Sequence, residues 1–179
     1  MLGNAKLKVL FLDIDGVLNS HQYKFKYGLR NGHIMFPEHI EVLKYIIDNV
    51  KDLKIVISST WRHNHSLDYF KEFFVNFGIS MSVVYDKTPS MSSIRGEEIE
   101  EWLKHNEVES FAILDDDSDM GHLIDNLIQT NGNYDLTYYE ASSVICLLNG
   151  WYVLKGQKDF PKWCKDKIWY NGHKLIEKG

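Results

Sequence analysis

The sequence predicts an α/β domain built on a doubly wound parallel sheet, and three observations carry that expectation. Short runs of β-branched and aromatic residues alternate along the chain with segments whose apolar residues recur at helical spacing. The first such run, Lys8 to Ile14, is apolar almost throughout, as a strand covered on both faces must be. No internal repeat or low-complexity linker breaks the alternation, so the 179 residues read as one domain. Its core is expected over about residues 8–137, followed by a basic, aromatic C-terminal extension over about residues 138–179.

The elements follow from local pattern. After the first strand comes an irregular stretch, and then Pro37 opens a segment with Ile40, Leu43, Ile46, Ile47 and Val50 on one helical face. Proline suits a first helical turn, so a helix is predicted over 37–50. A strand over Lys54–Ser58 and a helix over Ser66–Phe77, stopped by Gly78, come next. A weaker strand follows over Met81–Tyr85. The same logic gives a helix over Gly96–His105, a strand over Phe111–Leu114 and a weak strand over Leu127–Thr130, all joined by right-handed crossovers. The last forty residues are expected to be helical and to pack on the sheet through Trp151, Tyr152, Trp163, Trp169 and Tyr170.

Composition narrows the classes. With 44% apolar and 25% charged residues the chain is neither disordered nor collagen-like, and two cysteines, Cys146 and Cys164, make no disulfide scaffold or zinc site. Cys146 reads as packing. No apolar run approaches the roughly 18 residues that cross a bilayer, and the N-terminus lacks a secretory pattern, so a cytoplasmic protein is expected. The net charge of −5 argues against tight non-specific binding to duplex nucleic acid. It is unevenly spread, however: residues 1–150 hold 13 Lys/Arg against 22 Asp/Glu, and residues 151–179 hold 7 Lys against 3 acids.

Ligands of open α/β sheets bind beyond the carboxyl ends of the strands, where this chain places unusual chemistry. The first strand ends in Asp13-Ile14-Asp15-Gly16. Two carboxylates at i, i+2 there can divide labour, one as nucleophile or metal ligand and the other as proton shuttle, although such a turn is also common on solvated surfaces. The second ends in Ser58-Ser59-Thr60-Trp61-Arg62, hydroxyls and amides suited either to cradling a phosphate or to capping the next helix. The fourth ends in Asp115-Asp116-Asp117-Ser118-Asp119. These carboxylates repel one another, a cost that a bound cation offsets, and oxygen-only ligands suggest Mg²⁺ over zinc. Arg95 stands at a helix N-terminus, where the macrodipole supplies no reason for a cation and a nearby anion would; Lys87 competes for that role, and a plain surface position is the alternative for either. His63 and His65 are read as a solvated loop.

The four segments, in this order, resemble the haloacid dehalogenase (HAD) superfamily of phosphotransferases. More narrowly, the strings Leu12 to Asn19, Ser58 to Arg62, Arg95 to Leu103 and Ile113 to Asp117 resemble the HAD domains of Swiss Army Knife RNA repair proteins. They are similar, more loosely, to the 3′-phosphatase domains of polynucleotide kinase-phosphatases. The resemblance implies that Asp13 attacks phosphorus to give an aspartyl-phosphate and that Asp15 protonates the leaving oxygen and then activates water. It implies that Ser58, with Ser59, and Arg95 or Lys87 hold phosphoryl oxygens. Mg²⁺ would sit between Asp13, the Asp15 carbonyl and Asp116, with Asp115 or Asp119 in support.

Substrate choice in this superfamily comes mostly from cap insertions; here the first gap has room only for a flap, and the second is filled by a helix and strand belonging to the sheet. A capless site with at most a short flap over Ser20–Phe36 suits phosphorylated ends of nucleic acid, with a nucleotide or small phosphoester as the enzymatic alternative and a phosphate-binding regulatory module as the non-enzymatic one. Lys24, Lys26 and Arg30 in the flap, with Arg62, are the candidate substrate contacts. No membrane association is expected, and no protein partner is implied.

Overall fold

In the computed structural model, the described residues are 6–19, 35–131 and 136–150, with two further strands at 168–171 and 174–177. Strands β1 (Leu7–Leu12), β2 (Leu53–Ile57), β3 (Val84–Lys87), β4 (Val108–Asp115) and β5 (Leu127–Gln129) form one sheet in the order β3-β2-β1-β4-β5, every neighbouring pair parallel. The doubly wound expectation therefore holds. β1 is central, and Val9, Leu10, Phe11 and Leu12 are wholly buried, which is why that run needs no polar face.

Alternation along the strands divides the core. Leu10 and Leu12, with Ile55, Ile57, Ala112 and Leu114, pack against α1 (Pro37–Asn49), α2 (Leu67–Val75) and α4 (Tyr138–Leu148). Val9, Phe11, Val56 and Ile113 face the other way, onto Ile99 and Trp102 of α3 (Arg95–Lys104) and onto Met120 and Leu123 around a 3₁₀ turn at Gly121–Asn126. Phe11 meets Trp102 edge to face with centroids 5.4 Å apart. Helix ends follow their caps: the Ser66 hydroxyl accepts from Tyr69 N, and Thr137 with Glu140 forms a capping box for α4. Cys146 lies buried in α4.

Two expectations need correction. The edge strand starts at Val84, not Met81, because Ser80 holds a turn through its hydroxyl and carbonyl, which accept from Ser82 N and Val83 N at 3.3 and 3.0 Å. Met81 is left exposed and Lys87 is drawn into the strand. Among the described residues of the C-terminal stretch, helix is confined to Tyr138–Leu148. Ile168–Asn171 and Lys174–Glu177 form an antiparallel strand pair, β6 and β7, with Trp169 and Tyr170 in β6. The β-favouring runs Ile168-Trp169-Tyr170 and Leu175-Ile176, close together in the sequence, are the physical reason. Trp151, Tyr152 and Trp163 lie outside the described residues. No helix among the described residues is long and apolar enough to cross a membrane.

Candidate active site

The site is a row of side chains at the carboxyl ends of adjacent strands. Asp13 N donates to Leu114 O and Ser58 N to Leu12 O, both at 3.0 Å, so the ladder runs one residue past β1 and β2. Asp13, Ser58 and Asp115 consequently stand side by side. Each lies two residues beyond a side chain that faces α3 (Phe11, Val56 and Ile113), so all three point to that face.

Arg95 enters from the N-terminus of α3. Its Nη1 donates to Asp13 Oδ1 at 2.7 Å and to Asp115 Oδ2 at 2.8 Å. The anions that explain this cation are thus two carboxylates of the site. Helix α3 is brought close by Gly96, where an added Cβ would lie 2.5 Å from the backbone oxygen of Met120. Asp119 fastens the same end: its carboxylate accepts from Arg95 N at 2.9 Å and its carbonyl from Gly96 N at 3.1 Å. Asp119 serves the helix terminus, where a negative charge is favoured.

Burial dominates the electrostatics of the row. Asp13 is raised above the usual carboxylate range by desolvation, against which Arg95, the Ile14 amide and the Ser59 hydroxyl act. Asp115 is pushed up to about 8, first by burial and then by the charge of Asp13, despite Arg95 and a 2.9 Å hydrogen bond from Asp117 N. Asp116 is raised by desolvation and by the charges of Asp13 and Asp117. Arg95 is itself raised, because the carboxylates of Asp13 and Asp115 outweigh its desolvation.

One ligand oxygen from each of Asp13, Asp115 and Asp116 lies within 4.8 Å of the others. Three convergent carboxylates with raised proton affinity and one cation among them fit a hard divalent ion. Gly16 shapes this pocket. Its φ is +77°, and an added Cβ would lie 2.2 Å from Asp116 Oδ2, so glycine is demanded both by the backbone and by the carboxylate beside it. Thr130 Oγ1 holds the turn by donating to Gly16 O at 3.0 Å.

Asp15 lies beside the row, held by two donors: Asn19 Nδ2 at 2.8 Å on Oδ1 and Trp61 Nε1 at 2.7 Å on Oδ2. Ser58 is fully buried, and its hydroxyl has no hydrogen-bond partner among the described residues. Ser59 caps the 3₁₀ turn at Thr60–His63 and also reaches Asp13.

Other expected residues lie elsewhere. Lys87 Nζ donates to the carbonyls of Arg62 and His65, each at 2.9 Å, and touches no carboxylate of the row. Arg62, expected at the substrate, is 3% exposed; Nη1 donates to Ser58 O and Ser59 O, and Nη2 pairs with Glu98. His63 Nδ1 lies 2.8 Å from Ser90 Oγ, and His65 stacks on Tyr69. Lys24, Lys26 and Arg30 fall outside the described residues. Asn19, Trp61 and Glu98 were not singled out from sequence. Trp61 and Asn19 lie inside the motif strings, but a tryptophan reads as core and an asparagine as a turn until the fold brings both to Asp15.

A central Asp-x-Asp-Gly strand end, a serine on the next strand, a cation at the α3 terminus and an acidic fourth strand end are together consistent with a HAD fold. The family profile described as the HAD domain in Swiss Army Knife RNA repair proteins matches residues 9–141, and the chain belongs to that family. No curated protein and no solved structure matches the chain.

Proposed function

We propose that the protein is a Mg²⁺-dependent phosphomonoesterase that works through an aspartyl-phosphate and acts on phosphorylated nucleic-acid ends. The observation that carries this reading is Arg95 bridging Asp13 and Asp115 within one row of strand ends. A buried carboxylate must be ionised to attack phosphorus, and the guanidinium favours that form against desolvation.

Asp13 is the nucleophile: an Oδ forms the bond to phosphorus as the ester oxygen departs. Asp15 delivers the proton to that oxygen and then takes one from the water that hydrolyses the acyl phosphate. Trp61 and Asn19 aim its carboxylate by occupying one oxygen each. The Ser58 hydroxyl, which has no partner among the described residues, donates to a phosphoryl oxygen, and Arg95 adds positive charge beside it. Asp13, Asp116 and the Asp15 carbonyl would hold Mg²⁺, which neutralises charge on the phosphoryl group when bound.

The gap between Ser58 and Arg95 is filled by the 3₁₀ turn, α2 and β3, all parts of the body, which leaves no cap in that gap. The lack of a cap in that gap and a family named for RNA repair support a polymer end as substrate. Phosphate release from 3′- and 5′-phosphorylated oligonucleotides and from mononucleotides, with and without Mg²⁺, tests the reading. Oligonucleotide hydrolysis that requires Mg²⁺ and disappears in Asp13→Asn is expected. Full activity in Asp13→Asn would overturn the mechanism, and a preference for mononucleotides at low salt would overturn the substrate class. Charge reversal at Lys24, Lys26 and Arg30 should raise KM for the oligonucleotide more than for a mononucleotide.

A further inference from the structure

We infer that the buried Arg62–Glu98 ion pair is a positioning device that fixes the Ser58-Ser59 loop against the helix carrying Arg95, an inference that rests on the phosphatase reading above. The two side chains are 2% and 4% exposed. Arg62 Nη1 donates to Ser58 O at 2.7 Å and to Ser59 O at 2.9 Å, the carbonyls of both hydroxyl residues at the end of β2. Its Nη2 reaches Pro89 O at 3.4 Å in the loop after β3. Glu98 lies one turn beyond Arg95 on α3, and its second oxygen accepts from Met91 N at 3.0 Å and Ser92 N at 3.3 Å, in the loop that runs into Arg95. A single pair therefore joins the three segments that must hold register around the phosphoryl group.

Stability alone is a poor reason for such a pair. Desolvating two charges consumes most of their attraction, and a well-packed apolar pair in the same place is often as stable. A guanidinium fork and a carboxylate supply direction that apolar side chains lack: together they hold two carbonyls just after β2 and two amides before α3. Displacement of the hydroxyls by about 1 Å relative to Arg95 is enough to cost on the order of a hundredfold in rate.

The test uses the double variant Arg62→Met/Glu98→Met, with Glu98→Gln as the arm that remains informative if the double variant does not fold. Glu98→Gln keeps an acceptor for Met91 and Ser92 but removes the charge facing Arg62. For the folded double variant, kcat per folded molecule on an end-phosphorylated oligonucleotide and on an aryl phosphate is expected to fall about 100-fold. The midpoint for thermal unfolding should stay within a few degrees, and the Mg²⁺ concentration for half-activation should move less than threefold, since neither side chain is a carboxylate of the row. Glu98→Gln should lose about tenfold in kcat. A merely structural pair would lower the unfolding midpoint and leave kcat per folded molecule within threefold of the parent, which would overturn the inference. A parent protein inert toward every phosphoester would overturn the functional reading, and this inference with it; the parent arm separates the two failures.

Discussion

Without divalent cations the protein should become less stable as pH rises from 6 to 8, a range in which ordinary surface carboxylates are already ionised and contribute no slope. Asp115 is the source. Its carboxyl is fully buried and its pKa is pushed up from 3.8 to about 8. An acid whose pKa is raised on folding favours the folded state when protonated, so its contribution is complete below about pH 4 and is lost as pH climbs through about 8. Each pH unit inside that window is worth about 1.4 kcal/mol for one group. From pH 6 to pH 8 the loss is therefore about 2–3 kcal/mol, or about 5–10 °C in Tm for a chain of this size. Asp13 and Asp116 are raised as well and act in the same direction. Thermal unfolding in EDTA at the two pH values measures the effect. The Asp115→Asn variant, neutral at both, isolates it from the eight histidines, which titrate nearby. On the proposed reading Mg²⁺ would bind the ionised carboxylates, and it should then raise Tm more at pH 8 than at pH 6. An apoprotein equally stable at both pH values, or a slope unchanged in Asp115→Asn, would refute the reasoning.

Two further substitutions separate the site from the scaffold. Gly16→Ala should lose about 1–2 kcal/mol to left-handed strain and, because its Cβ would displace the Asp116 carboxylate, raise the Mg²⁺ concentration for half-activation at least tenfold; an unchanged Mg²⁺ titration would contradict this. Ser58→Ala removes a buried hydroxyl that has no partner among the described residues, so without substrate it should gain about 1 kcal/mol in denaturant unfolding while kcat/KM falls at least tenfold. A loss of stability with full activity would show that the hydroxyl serves the fold.

How far the sequence discloses the site depends on how locally each part is determined. Asp13, Ser58 and Asp115 were legible because each follows an apolar strand by a fixed offset, and the parallel sheet aligns such offsets automatically. The choice between Arg95 and Lys87 was not, since both precede or open α3 and only the bulge between β2 and β3, together with the close approach of Gly96 to Met120, decides which cation reaches the row. Arg62 shows the opposite failure. An arginine closing the run Ser58-Ser59-Thr60-Trp61 reads as a substrate contact, because nothing local reveals that Glu98, 36 positions later, will be buried opposite it. The Trp61 indole and the Arg62 guanidinium both come from the turn after β2, yet one faces Asp15 and the other faces Glu98. That divergence is set by the 3₁₀ geometry at Thr60–His63, in which neighbouring side chains point about 120° apart. A motif written as a string cannot express it. The division of Trp61 to the side of Asp15 and Arg62 to the side of Glu98 is therefore a property of the folded turn, and it is what lets the short segment from Ser58 to Arg62 meet Asp13, Asp15 and the helix carrying Arg95 together.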